Sequence, residues 1–377
     1  MAVLYYLFSF LIIINVIVFV HEYGHYLAAK KIGVRVTTFS IGMGPEIFGL
    51  DDVHGTRWRF SMFPIGGYVM MLGDGDVASA TEDSELLKGL TPEERRFSFS
   101  EKNNWEKMCI AFCGPFFNYL YAFVVLVAMS FFHGLPSYPP IIGEIQKESP
   151  AEKYGLLPGD KIISMDGDKI SKYRDIVIKI AEKESGAIDF IIERNGKRQS
   201  FSIVPEIKET KRIIGGFKRT RLLGIRSGKP IFEKKSLLDS LEVGFSTCIS
   251  ATKEMFMMFG KLFAGQKSLD DFGGVVHMAS VAGDLSKSGN FALLIMFTVT
   301  LSLNLGFINL FPLPVLDGGR ILICLLEEII RKKLNEKLHE RIMIICAVLL
   351  IFLMLTTTVN DILRIEAVNK FVSGFME

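Results

Sequence analysis

The chain has 377 residues, 49% of them hydrophobic, with a formal net charge of +2. A mean hydropathy of +0.33 is high for a soluble protein and low for a chain made only of membrane spans, so a membrane core with attached polar domains is expected. The net charge is uninformative and no basic tract suggests nucleic acid, so no nucleic-acid partner is expected, and the five cysteines, none of them between Pro136 and Leu241, exclude a disulfide framework in that stretch.

The first apolar segment runs from about Val3 to Ala28, enough for the ~20 residues of a helical span. No basic residue precedes it, no small-residue cleavage site follows, and charged residues sit inside its end, so it reads as a retained span and not as a signal peptide. That end carries His21-Glu22-Tyr23-Gly24-His25, an HExxH motif. On a helix, positions i and i+4 share one face, so both imidazoles reach one ion, and Glu22 lies beside them to act on an attacking water. Ionisable groups at such depth cost about 2.5–3.5 kcal/mol each on insertion scales and are usually functional.

Strands are predicted at Arg35–Ile41, Glu46–Leu50, Thr56–Phe63 and Tyr68–Leu72, broken at Gly42, Gly44-Pro45, Asp51-Asp52 and Gly66-Gly67. The segment is unusually apolar for a loop, so it is expected either to cover the membrane face as a small sheet or to dip into the bilayer. Gly73 to Asn104 is polar and acidic, a flexible loop with a short helix near Pro92. The second span is expected from about Met108 to His133, with Cys109 and Cys113 as packing residues one turn apart. Pro139 to about Ser227 reads as a soluble domain, with strands at Ile141–Ile145, Lys161–Met165, Ala187–Glu193 and Gln199–Pro205 and helices at Pro150–Tyr154 and Lys172–Lys183. Leu237–Phe263 has helical apolar spacing with Lys253 and Glu254 in its middle, the pattern of an amphipathic interfacial helix. The third and fourth spans are expected from about Phe291 to Phe311 and from about Ile342 to Val359.

Basic clusters at Lys30, Lys31 and Arg35, at Arg95, Arg96, Lys102 and Lys107, and at Arg331, Lys332 and Lys333 all fall on one side of a four-span chain, which should be cytoplasmic. A catalytic zinc needs a third protein ligand and an open position. The best candidate is Asp317, in Asn309-Leu310-Phe311-Pro312-Leu313-Pro314-Val315-Leu316-Asp317-Gly318-Gly319. It follows the third span, on the side of His21, where Pro312 and Pro314 break the helix; such backbone is tolerated at depth only where it is buried or lines a cavity. The alternative is an ordinary turn aspartate before Gly-Gly. His54, His133, His277 and His339 are expected to be structural.

These motifs resemble the site-2 protease family of intramembrane zinc metalloproteases, in its bacterial RseP-type branch with an extracytoplasmic PDZ domain. Further matching runs are Phe39-Ser40-Ile41-Gly42-Met43-Gly44-Pro45, Gly66-Gly67-Tyr68-Val69, Gly114-Pro115-Phe116-Phe117-Asn118, and Gly155 to Gly167 in the soluble domain. The resemblance implies Zn2+ as cofactor, His21, His25 and Asp317 as its ligands, and Glu22 as the catalytic glutamate. It implies that Asn309 holds the substrate, and that the strands carrying Gly42, Gly44, Gly66, Gly67 and Tyr68 keep the substrate extended. The chain has one PDZ-like domain, where the best-known enterobacterial members have two in tandem.

The fold class expected is a membrane α-helical protein of four transmembrane helices, with a membrane-associated β-sheet and an extracytoplasmic α+β PDZ-like domain. Its parts are a first span at 1–30, a cytoplasmic membrane-associated β region and loop at 31–104, a second span at 105–135 and the PDZ-like domain at 136–230. Amphipathic linker helices at 231–288, a third span with the Asp317 element at 289–338, and a fourth span and tail at 339–377 complete it. The expected setting is the bacterial inner (cytoplasmic) membrane, multi-pass, with the PDZ-like domain periplasmic. The expected partners are the lipid bilayer and membrane-protein substrates with a single transmembrane segment, such as an anti-sigma factor or a remnant signal peptide. Rival readings are a non-catalytic PDZ-bearing membrane scaffold, which has no need of Glu22, a membrane-anchored zincin, for which no downstream His or Glu ligand is found, and a transporter, for which the spans are few.

Overall fold

Backbone N–H and C=O groups inside a bilayer have to be paired within the chain, and a helix pairs them locally. The computed structural model describes residues 2–74, 88–183, 185–211, 217–265 and 273–363, and the long apolar stretches among them are helical. Helix α1 (Ala2–Ile32) has Lys30 and Lys31 in its last turn, at the negative end of the helix dipole. It stops at Gly33, whose φ of +79° turns the Gly33 and Val34 amides back onto the carbonyls of Lys30 and Ala29. Strands β1 (Val36–Asp51) and β2 (Arg57–Met71) follow. The one-turn helix α2 (Pro92–Arg95) is started by a Thr91/Glu94 capping box. Helix α3 (Asn104–Phe132) is started by reciprocal bonds between Asn103 and Glu106.

Short elements come next: β3 (Leu135–Ser137), β4 (Ile142–Ile145), α4 (Pro150–Lys153), β5 (Lys161–Met165), β6 (Asp168–Lys169) and α5 (Tyr173–Glu182). After them come β7 (Ile188–Arg194), β8 (Lys197–Ile203), β9 (Glu206–Lys211), β10 (Phe217–Leu222), β11 (Ile225–Ser227) and β12 (Ile231–Glu233). The chain then returns to helices, α6 (Leu237–Phe263), α7 (Val275–Lys287), α8 (Phe291–Asn309), α9 (Asp317–Ile330) and α10 (Glu336–Leu363). Among the described residues, the segments Leu4–Ile32, Asn104–Phe132, Phe291–Asn309 and Arg341–Ile362 are long and apolar enough to cross a membrane. Helix α6 is not one of them, as its central charges lead one to expect.

Two compact units divide the chain, residues 1–127 with 241–377, and residues 128–240. In the first unit β1 and β2 pair twice over. Thr38–Ile41 pair with Gly67–Met70 on one side and with Arg57–Phe60 on the other, while Glu46–Asp51 pair with Arg57–Ser61. The four paired stretches lie where four short strands were expected, and the chain runs through them as two long strands, each doubled back on itself. Gly42, Gly44 and Gly66, with φ between +82° and +89°, bend the strands without ending them. The inner end of the sheet is buried, with Phe39 and Val36 packed among Tyr26, Ala29, Met71 and Ile110. The outer end leaves Ile47, Phe48, Leu50, Phe60, Met62 and Phe63 exposed, a surface suited to hydrocarbon.

Helices α1, α7 and α8 pack around Phe10, Ile13, Ile17, Ala282 and Leu301. At the end of α10, buried Asp361 accepts the backbone N–H groups of Gly274 (3.1 Å) and His277 (2.8 Å), capping the start of α7. His277 thus lies in the first turn of a helix that the sequence reading did not delimit. Residues 75–87 of the expected flexible loop and 364–377 of the expected tail lie outside the described residues.

The second unit holds a four-stranded sheet in the order β6-β5-β7-β8 and paired strands β11-β4, β12-β3 and β10-β9. Ile176 and Ile180, one turn apart on α5, join Ile142, Ile162, Met165 and Phe190 in its core. Asp160, 1% exposed, accepts two bonds of 2.7 Å from the Arg194 guanidinium and one from the Leu157 amide, so its charge is buried with its partners.

The turn between β1 and β2 depends on one carboxylate. Asp52 accepts the backbone N–H groups of His54 and Thr56, the Trp58 indole N–H and the Tyr26 hydroxyl. Burial pushes its carboxyl up, but the Thr56 amide, the Trp58 indole, the His54 amide and Lys30 outweigh that and lower it from 3.8 to about 2. A group whose folded pKa is depressed adds stability that is complete above its unfolded pKa and is lost as pH falls through the folded one. The stabilisation from Asp52 is therefore full above pH ~4 and fades toward pH ~2. Asp52→Ala should destabilise by about 1–3 kcal/mol at pH 7, lowering the apparent unfolding midpoint in detergent. The gap to wild type should close between pH ~4 and ~2; a gap that is constant with pH would contradict it.

Candidate metal centre

His21 and His25 lie on one face of α1, both buried, with their Nε2 atoms 3.2 Å apart. Asp317 reaches the same point from the far end of the chain. Its Oδ2 is 3.1 Å from His21 Nε2 and its Oδ1 is 3.4 Å from His25 Nε2. Among the described residues this is a group of three ligand atoms that could hold a metal ion.

Local chemistry explains how Asp317 arrives there. Helix α8 ends at Asn309, and the Pro312–Pro314 segment folds back before α9 begins at Asp317 itself. A Cβ on Gly318 would lie 2.3 Å from the Leu310 carbonyl oxygen, and one on Gly319 2.1 Å from that of Leu313, so only glycine admits this return. The sequence left a turn aspartate as the alternative; the structure makes Asp317 the first residue of a helix, where its charge faces the positive dipole end. Burial pushes its carboxyl up, but the neighbouring His25 and His21 outweigh that and shift it below the usual carboxylate range.

The donor set fits zinc. A tetrahedral ion with bonds of about 2.0–2.1 Å needs ligand atoms about 3.3 Å apart; the two Nε2 atoms are 3.2 Å apart, and the Asp317 carboxylate meets them with one oxygen each, Oδ2 at 3.1 Å from His21 and Oδ1 at 3.4 Å from His25. His25 Nδ1 lies 2.8 Å from the Ile110 carbonyl oxygen. A carbonyl only accepts, so Nδ1 holds the proton and Nε2 keeps its lone pair for a metal. Space for the imidazoles comes from Gly114, where a Cβ would sit 2.2 Å from His25 Nε2 and 2.9 Å from His21 Cε1. His21, His25 and Asp317 would therefore hold the ion.

Around these three, Glu22 is half-buried, with the Val69 backbone N–H of β2 close to its carboxylate. A Cβ on Gly67 would come within 3.4 Å of Glu22, so strand β2 passes directly beside the glutamate. Asn309 brings its amide to 3.3 Å from His21 Nε2. Tyr68 is buried on the same strand, under the Arg59 guanidinium. Gly42, Gly44 and Gly66 pack against Phe63 and Met43 within the hairpin; they shape the sheet, and Gly67 is the glycine beside Glu22.

Sequence reasoning assigned no role at the centre to Gly114 or Asn118. Asn118 is completely buried, with its amide nitrogen 3.1 Å from His21 Nδ1. The available signal was a polar residue in the middle of an apolar span, four positions after a glycine and so on its face. Arg320, one turn beyond Asp317, was also passed over; it pairs with Asp74 and lies over the Phe99 ring, tying the segment after β2 to α9.

The profile described as Peptidase family M50 matches residues 9–353. A protein of Mesorhizobium japonicum named as a candidate zinc metalloprotease is 33% identical over 338 residues, 89% of this chain and 92% of the relative. One of Agrobacterium fabrum with the same style of name is 32% identical over 361 residues, 95% of each chain. Another, of Campylobacter jejuni, is 31% identical over 355 residues, 94% of this chain and 92% of the relative.

The close fit at Gly114 yields a test. Gly114→Ala should remove bound zinc from the purified protein, measured by elemental analysis, while circular dichroism stays helical. Stoichiometric zinc in that variant would show that the imidazoles do not need this space.

Proposed function

Given that the chain belongs to Peptidase family M50, the site-2 protease family, we propose that it cleaves the transmembrane segments of other membrane proteins, with His21, His25 and Asp317 holding zinc and Glu22 moving the proton. That it is a zinc metalloprotease with membrane-spanning helices follows from the family and from its four apolar helices. The carrying observation for the residue roles is the convergence of three ligand atoms at the end of a helix apolar enough to cross the bilayer, with a carboxylate and a strand beside them.

When bound, the zinc ion supplies Lewis acidity, polarising the scissile carbonyl and making a water acidic near neutral pH. Glu22 accepts the water's proton as the carbonyl is attacked and delivers it to the leaving amine. Strand β2, which passes beside Glu22 at Gly67, helps to orient its carboxylate. Asn309 donates to the substrate backbone at the same point. A transmembrane helix hides its carbonyls, so the scissile segment has to unwind. Pairing with the Gly66–Val69 stretch of β2 replaces the lost helix bonds, as in β-augmentation, and Gly67 keeps that stretch close to Glu22. A non-catalytic scaffold is disfavoured, because it has no use for a carboxylate held against two imidazoles in an apolar bundle.

The substrates of this reading are proteins with a single transmembrane segment, such as an anti-sigma factor or a remnant signal peptide, in the bacterial inner membrane. In this reading the chain is multi-pass, Lys30, Lys31, Arg95, Arg96 and Arg331–Lys333 lie in the cytoplasm, as their clustering on one side of four spans supports, and residues 128–240 lie in the periplasm. That unit is a PDZ-like domain in this reading. Its antiparallel sheet order β6-β5-β7-β8 and the core-facing helix α5 support it.

Glu22→Gln should keep zinc and substrate but lose turnover by about 10²–10⁴-fold; near wild-type cleavage of a single-span substrate would remove Glu22 from the role of general base. For topology, cysteines at exposed Lys197 and Glu93 can be labelled in spheroplasts with an impermeant maleimide. Lys197→Cys should react from outside and Glu93→Cys only after lysis. The reverse pattern would invert the arrangement.

A further inference from the structure

His21 and His25 are held differently on the side away from the metal. His25 Nδ1 faces a backbone carbonyl, whose orientation is fixed by the helix. His21 Nδ1 faces the side-chain amide of Asn118, with Nδ2 as the near atom at 3.1 Å. Asn118 is completely buried and its Oδ1 has no hydrogen-bond partner. Its backbone is pinned, because Ser302 donates to the Asn118 carbonyl at 3.0 Å. The remaining freedom of the residue is which end of its carboxamide faces the imidazole.

That freedom matters because the two ends demand different histidine tautomers. With Nδ2 toward the ring, the amide donates to Nδ1, so the proton of neutral His21 sits on Nε2 and points to Asp317 Oδ2, 3.1 Å away. This is a closed hydrogen-bond chain, but it uses the lone pair a metal needs. With Oδ1 toward the ring, Nδ1–H donates to the carboxamide oxygen and the Nε2 lone pair is released. The second arrangement also gives the orphaned oxygen a partner.

We propose that Asn118 is a positioning residue for zinc, whose carboxamide presents Oδ1 to His21 Nδ1 when the metal is held and turns to donate from Nδ2 when it is not. Asparagine is suited to this double role, since it offers a donor and an acceptor of nearly one shape. An aspartate in its place supplies only the acceptor, and a leucine supplies neither. The proposal rests on His21 being a zinc ligand.

The test is zinc affinity of the full-length protein in detergent, measured by competition with a chromogenic chelator, for wild type, Asn118→Leu, Asn118→Asp and His21→Ala. Loss of a partner that orients a metal-binding histidine typically costs about 10–100-fold in affinity, which is the expected weakening in Asn118→Leu. Asn118→Asp should bind zinc at least as tightly as wild type. If Asn118 serves only as a donor to the ring, or only fills space, the aspartate variant should weaken zinc as much as leucine does, and that result overturns the proposal. Should Asn118→Leu fail to fold, the aspartate variant alone decides, tight binding supporting the acceptor role and weakened binding defeating it. A wild type that holds no zinc, or His21→Ala that binds zinc normally, defeats the ligand assignment and this proposal with it. Zinc lost in His21→Ala but unchanged in Asn118→Leu defeats the Asn118 role alone.

Discussion

Two imidazoles and a carboxylate have to sit together at the end of an apolar helix, and much of the membrane unit can be traced to that requirement. Each histidine needs its far nitrogen occupied, because a buried N–H without a partner costs as much as the bond is worth. The Ile110 carbonyl meets His25 and Asn118 meets His21. Both partners come from α3, which forces α1 and α3 into close contact. Gly24 and Gly114 make that contact sterically feasible, since a Cβ at the first would overlap the Cys113 carbonyl and one at the second would overlap the imidazoles.

The third donor imposes its own geometry. A carboxylate delivered by a continuous span would have to lie inside it, with helix on both sides. Here α8 stops at Asn309, the chain folds back through two prolines, and α9 restarts with the carboxylate at its positive end. The interruption supplies both a polar pocket and a helix terminus in one short stretch. The double hairpin of β1 and β2 then closes the side on which Glu22 lies.

The parts that could be read from sequence were those with a strong local period. His21, Glu22 and His25 announce a helix face by their spacing, and the four apolar segments have unambiguous length. Asp317 was legible as a candidate donor, but not as a helix start, because Pro312, Pro314 and the two glycines look like an ordinary loop. The β region was legible in composition and not in connection. Gly42, Gly44 and Gly66 read as chain breakers, whereas positive φ there bends a strand that continues. Strands β9 and β10 were missed because Lys and Arg crowd Glu206–Lys211 and Phe217–Leu222, leaving little apolar alternation to detect. Asn118 was passed over for another reason: its spacing from Gly114 marks a polar face of the span, but its contact is with an imidazole 97 positions away, which that spacing does not name.

The cap that Asp361 places on α7 bears on how the last span sits in lipid. Only 6% of the apolar window of that span is buried inside the protein, against 44% for Phe291–Asn309, so α10 meets lipid along most of its length. Its carboxylate cannot slide toward hydrocarbon without abandoning the N–H groups of Gly274 and His277, and the α7 terminus would lose its anion as well. That end of α10 is therefore tied to the first turn of α7. In a bilayer, differences in thickness would then fall on the remainder of the helix, which would take them up by tilting about its capped end.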